Sequence, residues 1–309
     1  MASGADAGAG SGIAIGDGTT RGPKPKLPSL WLDTIIRTIE PGTMFGLLGP
    51  NGSGKTSSIR MMIGITMPDS GSVSLFNKPF TRNVLARVGY LPEERGLYKK
   101  MKVVQQLIFL GRLHGLSATI AYRRSLAWCE KLQITYALYK RTEDLSKGMQ
   151  QKIQFISTLL HEPELIIMDE PFSGLDPINA VLLMDTLLDL RRQGKAILFS
   201  THRMDQVEKL CDNIALIHRG HLVLSGSMRE IKSAYPRNRV LINFDGNPGP
   251  GFLHHPAIES LKQYNGQAEI KLRPSPTLAD DAQSLLAQAI AHARITRFEI
   301  MEPTLEDIF

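Results

Sequence analysis

Short apolar runs separated by segments of helical period organise most of this chain. Met44–Leu48, Leu165–Met168 and Ala196–Phe199 are strand-sized and almost wholly apolar, as expected of parallel strands covered on both faces. Helices are predicted over Lys55–Met62, Lys147–Leu160 and Ala180–Arg191. Val103–Leu113 and Ala121–Leu132 also repeat apolar residues at helical spacing, marking a helical region without clear strands. Leu32–Ile39 reads as a further strand, followed by the turn pair Pro41-Gly42. Strands alternating with helices predict an α/β core on a parallel sheet.

The rhythm then changes. Asn213–His218 and His221–Leu224 flank Arg219-Gly220, a hairpin pattern, and Ser227–Tyr235 reads as a short helix. After Pro236, strands are expected at Arg239–Phe244, Gln267–Leu272 and Arg297–Ile300, with an Ala-rich helix at Leu278–His292. Asn265-Gly266 is a hairpin signal before the second of these strands. A small α+β domain is therefore expected over residues 237–309, after an α/β body over 30–236. At the other end, Ala2 to about Gly22 is mostly Gly, Ala, Ser and Thr. Such a stretch buries too little apolar area to offset its ordering entropy, and it lacks the pattern of a secretion signal. Pro23, Pro25 and Pro28 follow, so residues 1–29 are expected to be a disordered tail.

A chain of 309 residues matches two domains at roughly 150 residues each. Its 42% hydrophobic and 21% charged residues exclude wholesale disorder. No apolar run approaches the ~20 residues of a bilayer-crossing helix, so work at a membrane would need spans supplied by another chain. Two cysteines make neither a disulfide framework nor a zinc site and suit a reducing cytosol. The net charge of +6 comes without a basic block and does not decide the function.

The chemistry begins at Gly49-Pro50-Asn51-Gly52-Ser53-Gly54-Lys55-Thr56, a P-loop pattern between a predicted strand and a predicted helix. Glycines let backbone N–H groups turn inward around phosphate oxygens. The helix beginning at Lys55 aims its positive dipole end at the same anion. Lys55 would reach the terminal phosphates and Thr56 would hold Mg²⁺. Further on, Leu165–Met168 delivers Asp169 and Glu170 at a strand's carboxyl end, where open α/β sheets bind ligands. Asp169 would bind the metal, and Glu170 would polarise the water that attacks the γ-phosphate.

With these elements in this order, residues 30–235 resemble an ATP-binding-cassette (ABC) ATPase. Leu145-Ser146-Lys147-Gly148-Met149-Gln150 is similar to the cassette signature, Ser173-Gly174-Leu175-Asp176 to the D-loop, and Ser200-Thr201-His202 to the switch-histidine segment. Tyr90-Leu91-Pro92-Glu93 resembles the Q-loop with Glu93 where most cassettes carry Gln, a carboxylate still able to ligate Mg²⁺. The resemblance implies a P-loop NTPase fold with a parallel-sheet core, antiparallel β elements and a helical subdomain. It implies ATP and Mg²⁺ as ligands and a head-to-tail homodimer that sandwiches ATP. Ser146 and Gly148 would then contact the γ-phosphate on the partner's P-loop. His202 would touch it within its own subunit, and Asp176 would communicate across the interface.

The front end departs from the family. Pro25-Lys26-Leu27 stands where an adenine-stacking aromatic is usual. Base stacking is worth roughly 1–3 kcal/mol, so ATP affinity would fall about five- to 150-fold from this loss alone. The run Leu91–Tyr98 and the tetrapeptide Leu145–Gly148 are similar to sodium-efflux (NatA-type) cassettes, and Phe298–Phe309 resembles the closing segment of the domain carried by ABC-2 exporter cassettes. The expectation is an ATP-hydrolysing exporter subunit, peripheral at the cytoplasmic face of the membrane and paired with an ABC-2-type permease; the subfamily likeness favours sodium as cargo, with a drug or a lipid-like compound left open. A nucleotide-binding regulator or a soluble non-transport ATPase is the alternative. No nucleic-acid partner is expected, because neither a second cassette nor long heptad coils are present.

Overall fold

The apolar runs lie side by side. The computed structural model describes residues 13–16 (as backbone), 39–94, 96–246, 252–275 and 277–309. Nine strands precede residue 228 among them: β1 (Ile13–Gly16), β2 (Met44–Leu48), β3 (Ser72–Leu75), β4 (Lys78–Pro79), β5 (Val88–Leu91), β6 (Leu165–Asp169), β7 (Ala196–Thr201), β8 (Asn213–His218) and β9 (His221–Ser227). Six of them form one sheet in the order β5-β6-β7-β2-β8-β9. The first five in that order are parallel, and β9 returns antiparallel. Every residue of β2, β6 and β7 is buried, the burial that their unbroken apolar composition requires. Parallel pairing brings the carboxyl ends of β5, β6, β7 and β2 to one edge of the sheet. The β8–β9 turn has Arg219 and Gly220 at φ of 49° and 79°, the left-handed pair that matches strand twist in a two-residue hairpin.

Among the described residues six α-helices precede residue 228; five follow the predicted periods, and Met204–Leu210 is an addition to them. They are α1 (Lys55–Met62), α2 (Val103–Leu113), α3 (Ala118–Lys131), α4 (Lys147–Leu159), α5 (Pro177–Arg192) and α6 (Met204–Leu210). Ser117 starts α3, accepting from the Ile120 N–H at 3.3 Å, three residues earlier than the apolar pattern indicates. Ser146 caps α4 and accepts from Met149 N–H at 3.2 Å; polar caps of this kind satisfy otherwise orphan donors. Phe155 of α4 is fully buried and meets Trp128 of α3 edge-on, with centroids 6.5 Å apart.

Strands β1, β3, β4 and β5 are additions to the sequence reading. The tail expected to be disordered contains β1, whose backbone pairs antiparallel with β3 from Ile13↔Leu75 to Gly16↔Ser72. Ile13-Ala14-Ile15 is the β-prone island in a stretch of small residues, and β3 offers it a free edge; the rest of residues 1–29 lies outside the described residues. So does most of the strand expected over Leu32–Ile39, of which only Ile39 is described, buried at 1% exposure. Strand β5 had no strand-like signature because it carries Gly89. A Cβ there would sit 2.6 Å from the Thr158 carbonyl oxygen, so glycine is what lets β5 approach α4.

The second compact unit runs from Met228 to Phe309, nine residues ahead of the boundary expected at 236/237. It contains α7 (Met228–Ser233), β10 (Arg239–Asp245), β11 (Ile258–Tyr264), β12 (Gln267–Leu272), α8 (Leu278–His292), β13 (Arg294–Met301) and α9 (Leu305–Ile308). Its antiparallel sheet has the order β11-β12-β10-β13. Ala282, Leu285 and Ala289 of α8 share a buried cluster with Val240, Ile242 and Ile270 of the sheet. Strand β11 was not anticipated because it is nearly all exposed and so has no apolar alternation to read.

Phe155→Ala should lower stability by about 3–5 kcal/mol, the usual cost of emptying a buried phenylalanine site. The check is a lowered urea midpoint followed by tryptophan fluorescence.

Candidate functional site

The loop between β2 and α1 is shaped by backbone approach. Gly49 lies so close to β8 that a Cβ would stand 2.2 Å from the Ile217 carbonyl oxygen. Gly54 caps α1 at φ 112°, with no side chain blocking the helix end. The helical bonds of α1 start with Ser58 N–H to Gly54 O at 2.9 Å. The N–H groups before it are the orphan donors that favour an anion.

Lys55 is buried, and its Nζ donates to the carbonyl oxygens of Gly49 and Pro50 at 2.7 and 3.2 Å. It also lies 4.0 Å from Glu170 Oε1. Burial lowers the pKa of its ammonium group, while the charges of Glu170, Asp169 and Glu93 act in the opposite direction. Thr56 Oγ1 donates to Asp169 Oδ2 at 2.6 Å, and Ser200 Oγ donates to Asp169 Oδ1.

Glu170 stands just past the end of β6 in the left-handed region, φ 48°. That conformation costs a non-glycine residue roughly 1–3 kcal/mol and concentrates at functional sites. Its backbone N–H donates to Ser200 O at 3.1 Å. Its carboxylate accepts from Thr201 Oγ1 at 3.2 Å, from His202 N–H at 3.1 Å and from His202 Nδ1 at 2.8 Å. An ionised carboxylate only accepts, so Nδ1 carries the hydrogen and Nε2 is the ring nitrogen left for a ligand.

Asn51, Lys55, Thr56, Glu93, Asp169 and Glu170 line one cleft of about 380 Å³, which Gly52 and Gly54 also border. His202 reaches this group through Glu170, with about half of its side chain exposed. Ser146, Gly148 and Asp176 are elsewhere in the unit. They line a second cleft, of about 410 Å³, with Lys147 and Lys152. There Asp176 caps α5, accepting from Asn179 N–H at 2.9 Å, a bond that lowers its pKa.

The hydroxyl and carboxylate oxygens of Thr56, Asp169 and Glu93 are hard donors of the kind Mg²⁺ takes. That ion typically uses one or two carboxylates and leaves its other positions to phosphate and water, so the residues present fit it.

Sequence reasoning missed three partners. Ser200 was read only as part of a motif, although a hydroxyl closing an apolar strand beside Asp169 was a usable signal. Gln151 and Gln154 sit on α4 with only 3% and 4% exposure. Gln151 Nε2 donates to Pro171 O at 3.0 Å, and Gln154 Nε2 to Pro92 O and Glu94 O at 3.0 and 3.1 Å. They lie on the polar stripe Lys147, Gln151, Gln154 and Thr158 of α4, which reads from the chain as a solvent-facing side, so nothing in the pattern marks them as buried.

Residues 32–173 match the family model described as ABC transporter, and residues 226–309 match that of the ATP-binding protein DrrA1-3-like, C-terminal domain. The chain is 44% identical to the uncharacterized ABC transporter ATP-binding protein YhaQ of Bacillus subtilis, over 90% of this chain and 92% of that one. It is 31% identical to the linearmycin resistance ATP-binding protein LnrL of the same species, over 89% and 92% of the two chains. A solved structure of an ATP-binding subunit of an ABC transporter superposes with a TM-score of 0.59 at 26% identity, covering 72% of this chain and 92% of the other.

Gly49→Ala places a methyl group against backbone, where no side chain can yield. Triphosphate binding measured by calorimetry should weaken at least about tenfold, or ~1.4 kcal/mol, while the secondary structure seen by circular dichroism is retained.

Proposed function

Because this chain belongs to the family of ABC transporter ATP-binding subunits, which hydrolyse ATP and work with a membrane permease, we propose that it is the motor of an exporter with an ABC-2-type permease. The observation that carries this reading is the meeting of Lys55, Thr56, Asp169, Glu170 and His202 along one edge of the parallel sheet. The resemblance of Phe298–Phe309 to the closing segment of ABC-2 exporter cassettes supports the ABC-2 assignment. Among the described residues no helix is long and apolar enough to cross a membrane, so the permease would supply the spans. This chain would then sit peripherally at the cytoplasmic face. The likeness of Leu91–Tyr98 and Leu145–Gly148 to sodium-efflux cassettes favours sodium as cargo; the relative named for linearmycin resistance supports export more broadly.

In the proposed mechanism the loop from Gly49 to Gly54 and the first turn of α1 wrap the phosphates with backbone N–H groups. Lys55 shifts its ammonium from the loop carbonyls to the terminal phosphates. Thr56, Asp169 and Glu93 would hold Mg²⁺, which neutralises phosphate charge when bound. Glu170 takes the proton of the attacking water, and His202 fixes the carboxylate through Nδ1 while Nε2 meets the γ-phosphate. Ser146, Gly148 and Asp176 act on the nucleotide of a second copy in a head-to-tail dimer. Their separation from the P-loop cleft within one chain supports that arrangement. Closure on ATP and reopening after hydrolysis follow from the different affinities of the two states for the nucleotide.

Two variants test this assignment. General-base help is worth about 10²–10⁴-fold, so Glu170→Gln should lose that factor in ATP turnover while retaining ATP binding, and should accumulate as an ATP-bound dimer on a sizing column. Turnover at the parent rate would overturn the role of Glu170. Lys55→Ala should weaken ATP binding itself in calorimetry, and unchanged affinity would overturn the P-loop assignment.

A further inference from the structure

The cleft that holds Ser146 and Gly148 also presents an aromatic ring. Tyr136 lines it, next to Gln133. Tyr136 is 64% exposed, whereas its neighbours Ile134 and Ala137 are buried at 1% and 0%. The surrounding turn is firmly held. Lys152 Nζ donates to Leu132 O at 3.0 Å, tying the turn to α4. The N–H groups of Val103 and Val104 donate to Lys140 O and Leu138 O at 3.0 and 2.9 Å, tying it to α2. Tyr136 is therefore an exposed ring on a fixed backbone, and it fills no part of the core. Lys140 Nζ stands over the ring at 5.6 Å from its centroid; a cation there takes one face and leaves the other.

The P-loop cleft has the opposite character. Among the described residues no aromatic side chain lines it. In the sequence, Trp31 is the only aromatic residue before Phe45, and Phe45 is a core residue at 5% exposure. A nucleotide on this P-loop thus has its phosphates provided for and no described platform for its base.

We propose that Tyr136 of one copy supplies that platform, stacking on the adenine of the nucleotide bound by the P-loop of the other copy. The inference rests on the reading that Ser146 and Gly148 act in trans, and it adds a base-recognition residue to the same cleft. A volume of about 410 Å³ suits a small-molecule site. Gln133 adds a carboxamide able to donate and accept hydrogen bonds at the sugar or base edge. Its φ of 55° is a left-handed conformation that a glutamine rarely takes. Stacking on a tyrosine ring orients the base without requiring a particular hydrogen-bond pattern, so the platform governs affinity in the closed dimer rather than choice among bases.

The test uses the full chain carrying Glu170→Gln, with dimer formation followed by analytical ultracentrifugation across an ATP titration. Tyr136→Ala should raise the ATP concentration for half-maximal dimer by about five- to 150-fold, and Tyr136→Phe should stay within about twofold of the parent. Calorimetric ATP affinity of the monomer should be the same in all three, because the ring serves the other copy's nucleotide. An unchanged titration for Tyr136→Ala overturns the platform and leaves the trans role of Ser146 and Gly148 standing. Loss of monomer affinity overturns it by placing the ring's action within its own copy. A parent that stays monomeric at saturating ATP overturns both readings together.

Discussion

Asp169 joins three separate stretches of chain at one point, and the candidate site is arranged around that junction. Its two oxygens accept hydroxyl donors from Thr56, just after the phosphate loop, and from Ser200 on the adjacent strand. At 1% exposure an unpaired carboxylate would be costly, and the two hydroxyls offset that cost. The junction is available only because β6, β7 and β2 are parallel and adjacent in the sheet, which stacks Asp169 beside Ser200 and Leu48 beside Thr201. The charges are unbalanced by design of the sequence: one buried lysine faces Glu93, Asp169 and Glu170. A triphosphate would add further negative charge, which a divalent cation held at the oxygen donors would offset on the proposed reading.

Helix α4 links this junction to the rest of the unit. Its cap is Ser146, and one turn later Gln151 holds the Pro171 carbonyl beside Glu170, while Gln154 holds the carbonyls on either side of Glu93. A single rigid element therefore touches the signature segment, the acidic turn and the segment carrying Glu93. Its hydrogen bonds reach backbone carbonyls next to both carboxylate residues, so the helix and the two segments are held in fixed register. Three neutral amide bonds to backbone suit this task because they fix position without adding charge to a crowded anionic cleft.

Much of this was legible in the chain. The apolar strands β2, β6 and β7 and the helices α1 and α2 announce themselves because full burial on two faces, or on one helical stripe, imposes a pattern that few loops share. The residues of the phosphate loop and the acid pair were legible for a related reason: backbone geometry there tolerates few substitutions. The structure adds the positions where pattern and burial part company. Strand β5 is interrupted by Gly89 for the sake of α4, β11 is too exposed to alternate, and Gln151 and Gln154 are polar yet buried. Ile13–Gly16 depended on a distant edge, Ser72–Leu75, that no local composition reveals.

The two clefts also explain why one copy is insufficient on the proposed reading. The first carries the carboxylates and the phosphate loop; the second carries Lys147, Lys152 and the open end of α4, with Ser146 as its cap. Each has what the other lacks around a bound anion, and the two share no lining residue. Only a ligand with negative charge at its far end can engage a phosphate loop and a second helix N-terminus at once. The γ-phosphate is that end, and its removal withdraws the one group both copies would share. On that reading, the free energy that closes a dimer would be concentrated on the bond that Glu170 would break, so cleavage of a single bond would become an opening motion.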